Sequence, residues 1–338
     1  MPTRVLVTGG AGFIGHHLIE HLLKTTNWDI VSLDRLDYSG NLNRLDEVVS
    51  AHPPEVRKRV TIVFHDLRAE LNPQVRNAIG PVNKILHLAA ASHVDRSIAF
   101  PMEFVQNNVI GTVNLLDYAR EHLPNLEHFL YFSTDEVFGP APTGVEYKEY
   151  DRYNSSNPYS ASKAAAEELC VAYENTYKMP IVITHTMNVF GERQLPEKFI
   201  AMCIRNIRDD LPVTIHADKT KKIPGSRFYI HATDVAEALM KIISTSYAGP
   251  GRCPKFNIVG KEEINNLRLA EMIAETQGKT VQAQLVDFHS ARPGHDLRYA
   301  LSGDLMRGQF GWEPKVSLTE RIAQVTKWSL DNPRWLEL

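Results

Sequence analysis

A strand, a glycine-rich turn, a helix and a second strand that ends in an acid fill the first 34 residues, and this order constrains the fold more than any other feature. Arg4–Thr8 is short and apolar, the turn reads Gly9-Gly-Ala-Gly-Phe-Ile-Gly15, and the second strand is Asp29–Asp34. Such glycines let the backbone approach a pyrophosphate, and the following helix supplies amide donors at its N-terminus. The pattern therefore predicts a dinucleotide-binding unit built on a parallel sheet.

The acid at the end of the second strand indicates which dinucleotide binds. Asp34 is placed to accept hydrogen bonds from the adenosine ribose hydroxyls, which favours NAD. Arg35 follows it and could meet the 2′-phosphate of NADP, so the two neighbours point to different cofactors. Because Asp34 would repel that phosphate, we expect NAD.

Composition narrows the class of protein. The 338 residues are 43% hydrophobic and 23% charged, with a formal net charge of −3, which gives no footprint for nucleic acid. No apolar run approaches the roughly 18–20 residues of a membrane-spanning helix, and the N-terminus lacks the apolar core of a secretory signal. Three scattered cysteines are too few for a disulfide framework or a metal site. We therefore expect free thiols, no metal and a cytoplasmic location.

The alternation of strands and helices predicts an α/β protein with a Rossmann-type, doubly wound parallel sheet. The NAD-binding domain is assigned to residues 1–187. The alternation then loosens, so residues 188–227 and 251–338 are predicted to form a smaller, partly discontinuous α/β portion that binds the substrate. Residues 228–250 are expected to pack back on the first domain. The further strands predicted for the large sheet are Val60–Phe64, Lys84–Leu88, Phe129–Phe132 and Ile181–Thr186.

A polar cluster follows the predicted strand Phe129–Phe132. Thr134, Asp135 and Glu136 stand at the carboxyl end of that strand, where open α/β sheets bind their ligands. A hydroxyl and two carboxyl groups are thereby predicted to lie at the ligand crevice.

A helix with two functional side chains begins shortly afterwards. Ser156-Asn-Pro158 provides cap residues and a proline suited to a first helical turn. Tyr159 and Lys163 are four residues apart and therefore lie on one face of this helix. Together with the polar cluster, the phenol and the ammonium indicate acid–base chemistry.

Eight ordered motifs extend over nearly the whole chain. In a chain with twelve tyrosines one Y-x-x-x-K is a weak signal, but the ordered set is specific. The motifs are T-G-G-A-G-F-I-G at Thr8–Gly15, S-H-V-D-R-S at Ser92–Ser97, T-D-E-V-F-G at Thr134–Gly139, Y-x-x-x-K at Tyr159–Lys163, P-E-K at Pro196–Lys198, N-L at Asn266–Leu267, R-P-G-H-D-x-R-Y at Arg292–Tyr299 and G-W-x-P at Gly311–Pro314. With them the chain resembles the nucleotide-sugar 4,6-dehydratases of the extended short-chain dehydrogenase/reductases, whose type acts on dTDP-glucose.

The resemblance implies an NAD-dependent conversion of a nucleotide-linked glucose into its 4-keto-6-deoxy derivative, by oxidation at C4, loss of water across C5–C6 and return of the hydride to C6. Tyr159 would remove the proton of the C4 hydroxyl. A free phenol has a pKa near 10, so Tyr159 would need the nearby ammonium of Lys163 to ionise near neutral pH. Thr134 would hydrogen-bond that hydroxyl. Glu136 would take the C5 proton, and Asp135 would protonate the departing C6 hydroxyl.

The resemblance also assigns binding residues. Cations among them suit the substrate diphosphate, because arginine makes bidentate phosphate contacts. The expected NAD-binding residues are Gly9, Gly12, Phe13, Ile14, Gly15, Asp34, Arg35, Asp37, Asp66, Leu67, Leu88, Ala89, Ala90, Ser92, Asn107, Tyr159 and Lys163. The expected substrate-binding residues are Ser92, Asn188, Glu197, Lys198, Arg227, Asn266, Arg292, His295 and Tyr299.

Three segments depart from the family pattern. The family often has a glutamate or glutamine at Ala91, usually reads S-N-N-Y-G-P-Y at Met187–Arg193, and has a shorter, less basic loop at His216–Ser226 beside the nucleotide base. These departures leave the nucleotide open: dTDP-glucose is expected, with UDP-glucose or a UDP-N-acetylhexosamine as alternatives. A nucleotide-sugar 4-epimerase, a dehydratase that stops at a 5,6-ene or inverts C5, and a non-catalytic NAD-sensing module are the other hypotheses.

Two helices carry more apolar positions than one buried stripe requires. They are predicted at about residues 102–121 and 159–178. Since the surplus apolar positions suit a partner helix, we predict a homodimer through this pair.

Overall fold

The computed structural model describes residues 3–245, 253–288 and 297–337. Within this part of the chain, seven parallel strands form one sheet, three strands form a second and two strands form a third. The strands are β1 (Arg4–Thr8), β2 (Asp29–Asp34), β3 (Val60–Phe64), β4 (Lys84–His87), β5 (His128–Thr134), β6 (Ile181–Thr186), β7 (Asn188–Phe190), β8 (Val213–Ala217), β9 (Ser226–His231), β10 (Lys255–Ile258), β11 (Glu263–Asn265) and β12 (Ala283–Asp287).

The large sheet has the order β3-β2-β1-β4-β5-β6-β10. The chain moves outward from β1 in one direction through β2 and β3, then returns to β1 and moves outward through β4, β5 and β6. This reversal opens a crevice at the carboxyl ends of β1 and β4, where such sheets bind ligands. The predicted Rossmann-type fold is confirmed.

Apolar helices cover both faces of the large sheet, which explains why Val5, Leu6 and Val7 are all fully buried. The helices are α1 (Phe13–Thr25), α2 (Leu42–Ser50), α3 (Pro54–Arg57), α4 (Pro73–Ile79), α5 (Val94–Ala99), α6 (Pro101–Phe104), α7 (Gly111–His122), α8 (Pro158–Tyr177), α9 (Phe199–Arg208), α10 (Ala232–Ile243), α11 (Asn266–Thr276), α12 (Asp304–Phe310) and α13 (Leu318–Asp331).

The strand that leads into the polar cluster is longer than predicted. β5 continues to Thr134, where its last residues pair with His185 and Thr186 of β6. Ser133 and Thr134 are therefore held by a backbone ladder instead of standing in a loop. The carboxyl pair begins directly after the ladder ends, in a short 3-10 turn over Asp135–Phe138.

A π-helical turn, Val105–Ile110, lies between α6 and α7, where one helix was expected. A π turn adds a residue to the α-helical repeat. The consecutive residues Asn107 and Asn108 are both buried here. Asn108 bonds to Ala91 through its Oδ1 and Nδ2 and also donates to Ser162 Oγ at 2.8 Å. The turn thus fixes the end of β4 against α8.

The smaller portion has its own core. β9 lies between β7 and β11, and β8 pairs in parallel with β12. Helices α9, α11 and α13 cover these strands. Their contact buries Phe190, Ile204, Ile215, Leu269 and Ile322.

The assignment of residues 251–338 to the substrate-binding portion is corrected by β10. This strand pairs in parallel with Ile183–Thr186 of β6 and forms an edge of the large sheet. Helix α12 follows it there, since the rings of Phe256 and Phe310 make an edge-on contact at 5.1 Å. A four-residue strand gives too short a pattern to reveal this pairing in the sequence.

The expectation that residues 228–250 pack on the first domain needs the same kind of correction, as far as the described residues reach. Helix α10 does pack against α1, through side chains such as Leu239 and Leu18. The strand before it, β9, pairs instead with β7 and β11 of the smaller sheet. The boundary therefore falls between the strand and its helix.

Across the described residues, no helix is both long and apolar enough to cross a membrane.

Candidate active site

The glycine turn brings the first helix against the strand end. Gly9 adopts a left-handed conformation, with φ of +72°, and its amide donates to Leu33 O at 2.8 Å. A Cβ added to Gly15 would lie 2.1 Å from Gly9 O, so only glycine allows the helix to begin this close to the turn.

The N-terminus of α1 is suited to an anion. Its cap residue, Gly12, has no side chain that could occupy the first amides, and no acidic residue stands in the first turn. The first amides of a helix have no partner inside it, and the helix dipole is positive at this end. The turn therefore fits a pyrophosphate.

One cavity at the carboxyl ends of β1, β2 and β4 contains every residue that was predicted to bind NAD. Gln194, Leu195 and Lys198 complete its wall from the segment that leads into α9. The structure thus brings the predicted cofactor residues together, although they come from separate stretches of the chain. They are Gly9, Gly12, Phe13, Ile14, Gly15, Asp34, Arg35, Asp37, Asp66, Leu67, Leu88, Ala89, Ala90, Ser92, Asn107, Tyr159 and Lys163.

Asp34 lies in the wall of this cavity and holds the glycine turn. Its carboxylate accepts from Ala11 N at 3.1 Å and from Leu36 N at 2.9 Å. Burial raises the pKa of this carboxyl, while the two amide hydrogen bonds act in the opposite direction. The carboxylate therefore positions the turn at the same place where a ribose is expected.

Arg35 is surrounded by acceptors. Its guanidinium donates to Asp37 Oδ2, with Nε at 3.1 Å, and to Asn107 Oδ1 at 2.5 Å, and it lies 3.6 Å from Asp66 Oδ1. Together with Asp34, three carboxylates thus line the region where a 2′-phosphate would bind. This arrangement favours NAD over NADP.

Tyr159 and Lys163 project from α8 into the cavity wall. Lys163 Nζ donates to Phe132 O at 2.7 Å and lies 4.3 Å from the centre of the Tyr131 ring. Burial lowers the pKa of Lys163 to about 8, against the opposing effect of Glu167. Burial also raises the pKa of Tyr159, as do the neighbouring carboxyl groups, so this phenol needs cationic help to ionise.

Asp135 is buried beside the phenol. Its Oδ1 accepts from Thr134 Oγ1 at 3.0 Å, while Oδ2 makes no hydrogen bond to the described residues. Burial, and then the charge of Glu136, raise the pKa of Asp135 to about 7. A carboxyl group with this pKa can hold a proton near neutral pH and give it away, which is what a general acid requires.

Glu136 is half-buried and is held by the helix cap. Asn157 is the N-cap of α8: its Oδ1 accepts from Ser160 N at 2.9 Å, and its Nδ2 donates to Glu136 Oε2 at 3.1 Å. One side chain therefore starts the helix that carries Tyr159 and also orients the second carboxylate. Sequence reasoning found the cap in Asn157 but missed its contact with Glu136, because nothing local links the two positions.

Asp135→Asn should make the protein more stable at alkaline pH. Because the folded-state pKa of Asp135 is raised from 3.8 to about 7, its contribution to stability is complete below the lower value and is lost as pH rises through the higher one. Asparagine keeps the size and removes the ionisation. At about pH 8 the free energy of unfolding of the Asp135→Asn variant should exceed that of the wild type by on the order of 2–4 kcal/mol. This difference should vanish near pH 4.

Urea unfolding over this pH range measures the effect. Asp46→Asn, at an exposed carboxyl, is the matched control and should follow the wild type. A constant difference between Asp135→Asn and the wild type across the range would contradict the assigned ionisation.

The predicted substrate residues are less closely grouped. Lys198 and Ser92 line the cavity, Asn188 begins β7 and Glu197 is exposed. Asn266, at the start of α11, accepts a hydrogen bond from Tyr229 at 2.8 Å. Arg292 and His295 lie outside the described residues.

Arg227 and Tyr299 form the other part of the predicted substrate site. The guanidinium lies 4.8 Å from the centre of the Tyr299 ring and donates to Ser226 O at 2.7 Å. Its positive charge acts on Asp135 and partly offsets the rise in the pKa of that carboxyl. A cation of the smaller portion thus comes close enough to influence the acid pair.

Among the described residues, no group of three or more histidine, cysteine, aspartate or glutamate side chains is arranged to hold a metal ion.

A doubly wound sheet with a glycine turn, and a Tyr–Lys pair on one helix beside the same crevice, define a short-chain dehydrogenase/reductase. The family model for GDP-mannose 4,6 dehydratase matches residues 6–325. The chain therefore belongs to this family of nucleotide-sugar 4,6-dehydratases, and the resemblance noted in the sequence is confirmed.

Relatives and solved structures agree with this membership. The dTDP-glucose 4,6-dehydratase of Neisseria meningitidis serogroup B is 35% identical over 349 residues, which covers 98% of this chain and 94% of the relative. The structure of DesIV, a dTDP-glucose 4,6-dehydratase from Streptomyces venezuelae with NAD bound, is 32% identical with a TM-score of 0.85 and 99% coverage of both chains. UDP-glucose 4-epimerase of Thermus thermophilus, in complex with NAD, is 29% identical with a TM-score of 0.82 and coverage of 96% and 98%.

Proposed function

We propose that this chain, with bound NAD, converts dTDP-glucose into dTDP-4-keto-6-deoxyglucose and water. The observation that carries the proposal is the buried acid Asp135, with its pKa raised to about 7, directly beside the half-buried carboxylate of Glu136. Elimination of water needs an acid and a base on neighbouring carbons, and two carboxyl groups in different environments provide them. The named relative and the DesIV structure support the same substrate, since both are dTDP-glucose 4,6-dehydratases.

The cavity supports NAD as the cofactor. The helix N-terminus with no acidic side chain in its first turn fits the pyrophosphate, and Asp34 stands where the ribose would bind. When bound there, NAD would supply the hydride transfer for the oxidation at C4 and the reduction at C6. Tyr159, in the cavity wall, would then ionise beside Lys163 and the positive charge of the oxidised cofactor.

The side chains of this chain move the protons. Tyr159 accepts the proton of the C4 hydroxyl as that carbon is oxidised, with Thr134 as a hydrogen-bonding partner of the hydroxyl. The 4-ketone makes the C5 proton acidic, and Glu136 removes it. Asp135 protonates the C6 hydroxyl, which leaves as water. Glu136 returns a proton to C5, after exchange with solvent, as C6 is reduced, and the proton taken up by Tyr159 balances the one that Asp135 gives away. The net change in the sugar is the loss of one water, without net oxidation or reduction.

The substrate is tested with a panel of dTDP-glucose, UDP-glucose, GDP-glucose and UDP-N-acetylglucosamine, followed by NMR of the products in D₂O. We expect dTDP-glucose to give a 4-keto-6-deoxy sugar with solvent deuterium at C5. A stronger reaction with a UDP-sugar would replace dTDP-glucose as the proposed substrate but would leave the proposed 4,6-dehydration unchanged. A C4 epimer without solvent hydrogen would replace the proposal with an epimerase, and NAD binding without turnover of any sugar would replace it with a sensor.

The proposed partner is a second copy of this chain. Met102, Val105 and Ile110 expose large apolar side chains on the helical segment from Pro101 to His122, next to α8. Burying them against a partner helix would remove them from water. We propose a homodimer through these helices.

The free, buried thiols of Cys170, Cys203 and Cys253 support a reducing compartment such as the cytoplasm.

Met102→Glu combined with Ile110→Glu is expected to convert the dimer into a monomer, because charges would be buried in the contact. Sedimentation velocity measures the mass. Gln74→Glu, an exposed position on α4, is the control and should leave the dimer intact. A monomeric wild-type protein would refute the dimer.

A further inference from the structure

A buried carboxylate that the proposed reaction does not use lies one helical turn beyond Lys163. Glu167 is fully buried on α8 and accepts hydrogen bonds from Ser133 Oγ and from Tyr153 OH. His185 Nε2 lies 3.0 Å and Lys255 Nζ 3.7 Å from its Oε2. A buried carboxylate is costly unless it is paired in this way.

The contacts of Glu167 keep it ionised. Burial alone would raise the pKa of its carboxyl, but His185, Lys255 and the hydrogen bond from Ser133 together bring that pKa below its usual value. The carboxylate is also fixed in place, because its partners come from β5, β6, β10 and the loop that follows β5. A carboxylate that is ionised at neutral pH therefore lies on α8, one turn from Lys163.

Lys163 and Glu167 lie one turn apart on α8, and they contact the neighbouring residues Phe132 and Ser133 of β5. Residues four apart on a helix lie on one side of it, and the charge of Glu167 opposes the fall in the pKa of Lys163 that burial causes. Cys170 would act in the same direction only as a thiolate, and burial raises the pKa of this thiol well above its usual value, so it is neutral. The other groups around the ammonium carry little opposite charge: the Tyr131 phenol has a pKa raised by burial, and His87 has a pKa lowered to about 3 and is neutral.

We propose that Glu167 is a positioning residue whose buried carboxylate holds Lys163 in its charged form and thereby sets the alkaline limit of the reaction. The proposal extends the function proposed above, because Lys163 acts there by favouring the ionised form of Tyr159. Ser133 connects the two sites directly, since it lines the cofactor cavity and donates to Glu167. Without the carboxylate, Lys163 would lose its proton at a lower pH.

The direct test follows the Lys163 ammonium by NMR in protein labelled with ¹⁵N-lysine and without substrate. The Lys163 signal is assigned by its loss in Lys163→Met. In Glu167→Gln we expect the titration midpoint of Lys163 to fall by about one pH unit, as an opposite charge at close range requires. An unchanged midpoint would overturn the proposal, and it would do so whether or not the chain acts on dTDP-glucose.

Matched variants separate charge from structure. Glu168→Gln alters the exposed neighbour on the same helix and should leave the midpoint unchanged. Glu167→Asp keeps the charge and should remain close to the wild type. If Glu167→Gln does not fold, the double variant Glu167→Gln/Lys255→Gln replaces the buried pair with two amides. The same fall is expected in it, because the charge that acts on Lys163 is that of Glu167, and Lys255 is not among the groups that shift the pKa of Lys163.

The pH profile of turnover is the second readout. In Glu167→Gln the alkaline limb of kcat should move to lower pH by about one unit, in parallel with the NMR midpoint. A loss of thermal stability with an unmoved alkaline limb would show that Glu167 only supports the fold, and would overturn the proposal.

Discussion

Glu136→Gln is expected to stop dehydration while oxidation at C4 continues. Glutamine retains an oxygen that can accept from Asn157, so the helix cap and the fold should survive. Without a base at C5, formation of the 4-keto-6-deoxy sugar should fall by roughly 10²–10⁴-fold, the usual contribution of a positioned base. The absorbance of reduced nicotinamide should therefore rise after dTDP-glucose is added and persist, because its hydride cannot return to C6.

The matched control for this variant is Glu146→Gln, at an exposed carboxyl on the loop after β5, and it should turn over like the wild type. Normal product formation by Glu136→Gln would remove Glu136 from the mechanism. Failure of the variant to reduce NAD at all would move its role from elimination to oxidation.

Tyr159→Phe should block the reaction one step earlier. The ring would remain packed edge-on against Phe104, whose centre is 6.3 Å away, but the group that accepts the C4 proton would be gone. Turnover should fall by roughly 10²–10⁴-fold. Unlike in Glu136→Gln, no reduced nicotinamide should accumulate, so single-turnover absorbance distinguishes the two variants.

Tyr177→Phe provides the comparison on the same helix, since Tyr177 is 49% exposed and does not line the cavity. It should have no effect on turnover. Reduction of NAD by Tyr159→Phe at the wild-type rate would show that another group is the base at C4.

The sequence predicted the parts of the site that depend on local order. The bounds of β1, β2, β3 and β6 agree with the structure, because each strand is a short apolar run closed by a polar residue or a turn. The glycine turn and Asp34 also follow from local spacing. The resemblance added residues such as Asn107, which no local pattern marks and which the structure places in the same cavity.

The parts that the sequence did not predict depend on contacts between distant segments. β10 joins β6 across more than seventy residues, and nothing in Lys255–Ile258 distinguishes an edge of the large sheet from a strand of the smaller one. The contact of Asn157 with Glu136 and the carboxylate of Glu167 are of the same kind. In the sequence, Asn157 looks like an ordinary helix cap and Glu167 like an ordinary surface residue of a helix. Their contacts exist only in the folded chain, where distant segments meet.

The π turn at Val105–Ile110 limits how this region can be redesigned. Its additional residue lets Asn107 reach Arg35 while Asn108 holds Ala91 and Ser162. Idealising the segment to an α-helix by deleting one residue would rotate everything on one side of the deletion by about 100°. One of the two asparagines would then turn away from its contacts, so a shorter, straighter helix here would lose either the contact with Arg35 or the link between Ala91 and α8.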